Sequence, residues 1–198
     1  MNNSNWYALF VQTGYEDEIC KMIDCLTQIF NFSNKTIYYE TLVPKRKLYE
    51  TKHGITNQVI RKLFPGYILI KTDDIEYMYI ISKKCFHSYR FIRRANYSFS
   101  IIKQDEILQI LKLMDGNGVI DVSNVFIEND KVRILSGPLF NYTGIVKKIN
   151  KSKKRAKIEI QIMGKNLPID VSIYVLDKLP NDDINKIILF KKTIEEYK

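Results

Sequence analysis

The sequence has few of the residues on which catalysis, metal binding and covalent cross-linking depend. Its 198 residues include three cysteines, none of them in a CxxC pair, and only two histidines, His53 and His87. An odd number of thiols without paired spacing fits a reducing compartment and argues against a disulfide scaffold or a zinc site. Neither histidine has a partner at metal-ligand spacing or lies in a hydrolase motif. We therefore assign no catalytic residue, no metal and no cofactor.

Long apolar runs are also missing. No stretch approaches the roughly 18 residues of a membrane span, and the beginning "MNNSNWYALF" lacks the basic segment of a secretory signal. These absences predict a cytoplasmic protein without a membrane partner. What the chain has in excess is positive charge, a formal net of +9, which favours a polyanionic partner such as nucleic acid.

The first part of the chain mixes strands with helices. "NWYALFVQT" is apolar at nearly every position, which predicts a central strand covered on both faces. The next segment places apolar residues three and four apart between Ile19 and Phe30 behind an acidic first turn, which predicts an amphipathic helix. Further strands and helices follow, so residues 1–115 are predicted to form a unit in which strands and helices are mixed.

The second part has a different pattern. Residues 116–126 are predicted to be a linker, and residues 127–180 contain five short alternating runs separated by Gly, Pro and Asn, which indicate a small β-barrel. Residues 181–198 have the pattern of a short C-terminal helix. The fold class is therefore α+β, with a sheet-and-helix domain followed by a barrel domain and a helical tail.

The stretch "KLFPGYILIK" holds aromatic side chains on both sides of a bend. Pro65 and Gly66 predict a turn, and the "YILI" run after it suits a buried strand. Phe64 and Tyr67 could be core residues, or they could be exposed for a partner, and the local pattern leaves both interpretations open.

Two clusters of basic residues are candidates for nucleic-acid binding. Residues 126–180 hold 11 basic and 5 acidic groups, and no acid interrupts "VKKINKSKKRAK". A smaller cluster lies in "PKRK". Such runs are also common in solvated loops, and that alternative stays open. The candidate residues are Lys45, Arg46, Lys47, Lys147, Lys148, Lys151, Lys153, Lys154, Arg155 and Lys157.

Two motifs in sequence order resemble a known family. "NWYALFVQTGYE", "VP" and "LFPGYILIK" resemble the N-terminal (NGN) domain of NusG-type transcription elongation factors. "VRILSGPLFNYTGIVKKI", "IQIMGKNLPIDV" and "VLDKL" are similar to the C-terminal KOW domain of that family, an SH3-like β-barrel. The resemblance covers most of residues 5–179. The basic "VPKRKLYE" and "SKKRAKI" segments look most like LoaP, the specialised operon-associated antiterminator branch.

The resemblance implies a partner for the first domain. This domain (residues 1–115) would be an antiparallel sheet flanked by helices. It would dock on the clamp helices of the largest subunit of RNA polymerase through an apolar pocket and would suppress pausing and termination. The expected polymerase-binding residues are Trp6, Phe64, Tyr67, Leu69 and Phe91, with Phe91 closing the pocket. Within "PKRK", the basic side chains would lie near the DNA of the upstream fork.

For the barrel, the resemblance to LoaP implies binding of nascent RNA, in particular a leader hairpin. The housekeeping factor has a Phe in an "IFGR" motif that contacts a ribosomal protein, whereas this chain has Met163 and Lys165 in "IMGK". Because Met cannot stack, ribosome coupling is not expected. The family also implies a monomer.

Two other functions remain as alternatives. One is a housekeeping NusG-type elongation factor that acts on every gene. The other is a ribosome-associated RNA-binding protein with a KOW barrel, which the intact "FPGY" segment disfavours. An RNA-modifying enzyme is a third class, and the absence of a catalytic constellation argues against it.

Overall fold

The structure is a computed structural model that describes residues 4–30, 37–128, 131–140 and 145–176. The elements in chain order are β1 (Asn5–Val11), α1 (Glu16–Ile29), β2 (Tyr39–Leu42), β3 (Lys45–Lys52), β4 (Ile55–Lys62), β5 (Tyr67–Thr72), α2 (Ile75–Lys84), β6 (Ser88–Phe91), β7 (Ile101–Ile102), α3 (Gln104–Leu113), β8 (Val119–Ile120), β9 (Ser123–Glu128), β10 (Lys131–Ser136), β11 (Val146–Asn150), β12 (Arg155–Ile162) and β13 (Lys165–Leu176). We call the part from β1 to β8 the front unit and the part from β9 to β13 the barrel unit.

The front unit is built on an antiparallel sheet with β1 at its centre. β1 pairs with β5 on one side and with β6 and β7 on the other, and β2 extends the sheet beyond β5. Because successive side chains of a strand point to opposite faces, the two faces of β1 enter different cores. This arrangement confirms the prediction of a central strand that is covered on both sides.

One face of this sheet is covered by α1 and α2. Tyr7, Leu9 and Val11 of β1 pack in a single apolar cluster with Ile19 and Ile23, the two buried apolar residues of α1. The spacing of four between Ile19 and Ile23 places both side chains on the same side of the helix. The predicted amphipathic helix is therefore confirmed, and its apolar side covers one face of the sheet.

A long hairpin extends from the front unit. β3 and β4 pair over their full lengths, and β8 adds a parallel strand beside β3. The two-residue turn consists of His53 and Gly54, which both have positive φ angles of 51° and 79°. Such angles match the twist of a tight hairpin turn, and glycine adopts them without steric cost. The turn lies within the "KHGITN" segment, in which the sequence predicts a hairpin tip.

Five strands form the barrel unit, in agreement with the predicted number. The order is β10-β9-β13-β12-β11, antiparallel except for the parallel pair of β9 and β13. Along β12 the buried side chains alternate with exposed or half-buried ones, and Ala156, Ile158, Ile160 and Ile162 point into the core. This period of two is the one that the sequence predicts for "AKIEIQI".

The two units share one hydrophobic core. Trp6, Ala8 and Leu69 of the front sheet belong to the same buried cluster as Ile158 and Ile160 of the barrel unit. The second face of the front sheet is therefore covered by the barrel unit, as the first is covered by helices.

Three further predictions concern the linker, the C-terminal helix and membrane spans. β8 and the beginning of β9 lie within residues 116–126, so this predicted linker contains paired strands, while the domain boundaries themselves stay a prediction. The predicted helix at 181–198 lies outside the described residues. None of the described helices is long and apolar enough to cross a membrane.

Candidate functional site

The turn at Pro65 and Gly66 determines where the aromatic side chains of "FPGY" lie. Gly66 has a φ angle of +82°, and a Cβ atom at this position would lie 3.0 Å from Thr13 Oγ1. The backbone conformation therefore favours glycine, and the space for a side chain at this position is tight. The turn leads directly into β5, whose first residue is Tyr67.

A buried carboxylate holds this turn in place. Glu16 is fully buried, and its two carboxylate oxygens accept hydrogen bonds from the backbone N–H groups of Gly66 (2.7 Å) and Gly14 (3.0 Å). Hydrogen bonds from backbone donors to an ionised acceptor are stronger than neutral ones. From the sequence, Glu16 is one of several acids in a first helical turn. Its role depends on a glycine fifty positions away, so no local signal could have found it.

An apolar pocket of about 520 Å³ lies between the front sheet and the barrel unit. The front sheet and its loops contribute Ala8, Phe64, Tyr67, Leu69, Ile92 and Ser100. The opposite wall comes from the end of β12 and the start of β13, where Met163 lies at the turn. The structure thus brings Phe64, Tyr67 and Leu69 together around one pocket, as the family resemblance implies. Phe64 and Tyr67 are half-buried, and Leu69 forms part of the buried floor.

Aromatic rings extend the apolar face beyond the pocket. The ring of Phe10 lies 5.4 Å from that of Tyr67 and 5.2 Å from that of Tyr89, so the three rings form a row across β5, β1 and β6. Tyr89 is 49% exposed. Sequence reasoning missed Phe10 and Tyr89. Alternation along β1 places Phe10 on the face of Ala8, but only the pairing of β1 with β6 brings Tyr89 to it.

The expectation that Phe91 closes the pocket is wrong. Phe91 is opposite Leu9 in the β1–β6 register, and both side chains lie in the cluster under α1 and α2. Its neighbour Ile92 lines the pocket instead, because adjacent residues of an extended chain face opposite ways. Trp6 is buried at 6% exposure in the core shared with the barrel unit and does not line the pocket.

A second buried carboxylate joins the barrel unit to the front unit. Glu106 of α3 is 2% exposed, and it accepts hydrogen bonds from the backbone N–H groups of Met163 (3.0 Å) and Gly164 (2.8 Å). It also accepts a bond from the N–H group of Lys103 at the start of its own helix. Glu106 therefore fixes the β12–β13 turn over the pocket.

Two of the three basic side chains of "PKRK" form ion pairs with carboxylates of the chain, Asp17 in α1 and Asp121 between β8 and β9. Lys45 Nζ lies 2.8 Å from Asp17 Oδ1, and Lys62 contacts the same carboxylate. Lys47 Nζ lies 2.8 Å from Asp121 Oδ2. Although burial acts to raise it, the hydrogen bonds from Lys45 and Lys62 hold the pKa of Asp17 below its ordinary value. The positive charges of these lysines are therefore partly neutralised, so less charge is available to bind the phosphates of nucleic acid.

The remaining member of "PKRK", Arg46, meets Arg155 at the boundary between the two units. Arg46 Nη1 donates to the Asp170 carbonyl oxygen of the barrel unit at 2.5 Å, and Arg155 Nη2 donates to the Tyr49 carbonyl oxygen of the front unit at 3.4 Å. Burial lowers the pKa of Arg46; nearby Asp170 opposes this effect and Arg155 adds to it. The Nε atoms of both arginines are buried and have no hydrogen-bond partner within the part of the chain that the structure describes. The structure thus places a residue of "PKRK" next to a residue of the basic run of the barrel unit, although these two clusters are far apart in the sequence.

The basic run of the barrel unit covers β11, the following turn and the start of β12. Lys148 and Lys157 are paired across the two strands, and both are exposed. Lys147 is exposed and lies 3.6 Å from Glu159. Lys151 and Lys153 are exposed on the turn, whereas Lys154 and Arg155 are half-buried. Five of the seven predicted basic residues therefore face solvent.

The thiols of Cys20 and Cys85 have no feature of a reactive site. Burial raises the pKa of Cys20 and that of Cys85 to about 11 each, so both thiols are protonated at neutral pH and are weak nucleophiles. Within the described residues, no group of three or more His, Cys, Asp or Glu side chains could hold a metal ion.

Comparison with protein families gives two matches. The family described as "Transcription termination factor nusG" matches residues 4–111, more than half of the chain, and the KOW motif matches residues 128–160. Two similar curated proteins are each described as "Transcription termination/antitermination protein NusG". The protein from Halalkalibacterium halodurans is 24% identical over 178 residues, and that from Bacillus subtilis (strain 168) is 25% identical over 180. Each alignment covers 88% of this chain and 98% of the relative.

A solved structure has a similar fold. The structure described as "Domain interaction in Thermotoga maritima NusG" aligns with a TM-score of 0.53 at 19% identity. The alignment covers 86% of this chain and 94% of that chain. The likeness supports the arrangement of a sheet-and-helix unit followed by a small barrel.

Proposed function

The chain belongs to the NusG family of transcription termination factors, and we propose that it is a specialised antitermination factor of the LoaP type. In this proposal the front unit binds the clamp helices of RNA polymerase and the barrel unit binds nascent leader RNA. The protein acts in the cytoplasm as a monomer. The apolar pocket with its aromatic row is the single observation that carries the proposal, because half-exposed aromatic side chains around an apolar depression are typical of a protein-binding surface.

The proposed docking face suits an amphipathic helix. Phe64 and Tyr67 flank the pocket, and Tyr89 extends it as a half-exposed ring. Half-buried aromatic side chains around an apolar depression are the usual anchors of protein interfaces. A factor that binds one polymerase conformation better than another shifts the population toward it. Binding of this kind would suppress pausing and termination without any covalent chemistry.

The barrel unit covers the pocket in the described arrangement, so polymerase and barrel would compete for the same face. Met163 lines the pocket while Glu106 holds its backbone N–H group. A polymerase helix could reach Tyr67 only after this turn moves away. The apparent affinity for polymerase is then reduced by the fraction of molecules in which the pocket is covered.

Replacing Tyr67 with alanine tests the docking face. We expect the affinity for purified core RNA polymerase to fall by about tenfold or more, because truncating an anchor aromatic leaves the pocket unfilled. Biolayer interferometry on the immobilised protein measures this change. Tyr97→Ala is the matched control, since Tyr97 is 79% exposed and does not line the pocket. Unchanged binding by the Tyr67 variant would place the docking surface elsewhere.

Reversing two charges on the outer face of the barrel unit tests RNA binding. Lys148 and Lys157 are neighbours across β11 and β12, and both are exposed. We expect Lys148→Glu combined with Lys157→Glu to weaken binding of a leader RNA hairpin. The slope of log affinity against log salt should become shallower by about 1.5, because each lost phosphate contact removes ~0.7–0.9 from it.

Fluorescence anisotropy over a salt series measures this slope. Lys112→Glu is the control, because Lys112 is an exposed lysine of α3 in the front unit. An unchanged slope for the double variant would remove RNA binding by this face.

The housekeeping role is the second candidate, and the similarity to curated NusG proteins favours it. The two roles differ in the number of genes affected. Deletion of the gene followed by RNA sequencing should change the distal part of one long operon under our proposal. A change across most transcription units would instead identify a general elongation factor.

A further inference from the structure

A cleft of about 390 Å³ lies where the hairpin of the front unit approaches the basic turn of the barrel unit. Tyr49 and Lys52 of β3 form one wall, and the turn before β12 forms the other. Each wall comes from a different unit, so the cleft exists only while the two units are docked. Its barrel wall consists of Ser152, Lys153, Lys154 and Arg155.

The cleft carries a strong excess of positive charge. Lys52 and Lys153 are exposed, and neither forms an ion pair within the described part of the chain. Glu50 is the acidic residue in the lining, and Arg61 binds both of its oxygens at 2.9 and 2.6 Å. Because Arg61 already neutralises this carboxylate, Lys52 and Lys153 are left for an outside anion, whereas Arg155 lies 3.7 Å from Asp170 Oδ2.

An aromatic ring lies inside the same cleft. Lys154 Nζ is 5.2 Å from the centre of the Tyr49 ring and 5.9 Å from that of Tyr174, which is 45% exposed. Aromatic rings beside basic groups are the usual elements of single-stranded nucleic-acid sites, since bases stack on the rings while the cations hold phosphates. Arg155 also lines the cleft, and its buried Nε atom has no hydrogen-bond partner among the described residues.

We propose that this cleft is a composite RNA site, in which one strand of an RNA loop binds between the hairpin and the barrel turn. Lys52 holds the phosphates from one side and Lys153 from the other, while Tyr49 stacks on a base. The inference rests on the proposed RNA-binding function and extends the site from the barrel unit to the front unit. RNA binding should also favour the docked arrangement of the two units, because a ligand that contacts both walls stabilises it.

Lys52→Glu and Tyr49→Ala, made separately in the full chain, test the front wall. We expect each variant to bind a fluorescein-labelled RNA stem-loop about fivefold to tenfold more weakly, as is typical for loss of a stacked base or a phosphate contact. Lys153→Glu in the opposite wall should show a similar loss. Lys21→Glu is the matched control, because Lys21 is exposed on α1 outside the cleft. Circular dichroism establishes that each variant is folded.

The pattern of losses separates this inference from the proposed function. Weaker binding by the Lys52 and Lys153 variants supports the composite site. If only barrel variants such as Lys153→Glu and the Lys148–Lys157 double reversal lose affinity, the barrel unit binds RNA alone and the composite site is wrong. If none of them loses affinity, RNA binding is wrong as well.

Hydrogen exchange provides a second test that needs no polymerase. The N–H groups of Met163 and Gly164 are bonded to Glu106 across the two units. RNA that closes the cleft should slow exchange of these two amides, because exchange requires the units to separate. The wild-type chain is measured by NMR with and without the stem-loop. Unchanged or faster exchange of these amides at saturating RNA would contradict the proposal that RNA stabilises the docked arrangement.

Discussion

Replacing Glu16 with alanine is expected to lower the free energy of unfolding by about 2–4 kcal/mol, because two backbone donors lose their acceptor in a buried place. The N–H groups of Gly14 and Gly66 both donate to this carboxylate, which is fully buried. Chemical denaturation with urea, followed by tryptophan fluorescence, measures the change.

A neighbouring acid provides the control for this prediction. Glu18 lies in the same first turn of α1 but is exposed, so Glu18→Ala should change stability by less than about 0.5 kcal/mol. The Glu16 variant should also bind polymerase more weakly, since the turn that orients Phe64 and Tyr67 is released. Equal stability of the two variants would show that Glu16 does not hold the turn.

Replacing Glu106 with alanine is expected to weaken the docking of the barrel unit on the front unit and to raise the fraction of molecules in which the two units are separated. The carboxylate accepts hydrogen bonds from Met163 and Gly164 across the boundary, and bonds to a charged group contribute about 1.5–3 kcal/mol each. Loss of about 3 kcal/mol lowers the docking equilibrium constant by roughly 100-fold. The pocket under Met163 would then be open to polymerase in a larger fraction of molecules.

Small-angle X-ray scattering measures this separation as an increase in the radius of gyration. Asp105→Ala is the control, because Asp105 precedes Glu106 in the first turn of α3 and is exposed. Thermal unfolding tests whether α3 remains folded, since Glu106 also accepts a hydrogen bond from Lys103 at the start of the helix. A compact variant with unchanged polymerase affinity would contradict a role for Glu106 in docking.

Local patterns were sufficient where neighbouring residues decide the structure. The spacing of Ile19 and Ile23 places both side chains on one side of α1, and the alternation in β12 buries Ala156, Ile158 and Ile160. Pro65 and Gly66 predict their turn for the same reason. Proline restricts the backbone angle φ at its own position, and glycine adopts angles that other residues avoid. These features need no information about distant parts of the chain.

Assigning side chains to the site was less successful. Phe91 and Ile92 are adjacent apolar residues in one short strand and its end, and either could have closed the pocket. The register of β6 against β1 directs Phe91 to the helices and leaves Ile92 for the pocket. A shift of one residue would have exchanged their roles, and register is set by pairing with another strand.

The sequence by itself determined the types of the elements, the order of a sheet-and-helix unit and a barrel, and the excess of positive charge on the barrel. Only the tertiary structure decided that Glu16 and Glu106 are buried acceptors, that two lysines of "PKRK" form ion pairs, and that Arg46 meets Arg155. The physical reason is the range of the interactions. Backbone angles and side-chain periodicity depend on adjacent residues, whereas hydrogen bonds and ion pairs join groups that strand order and docking bring together.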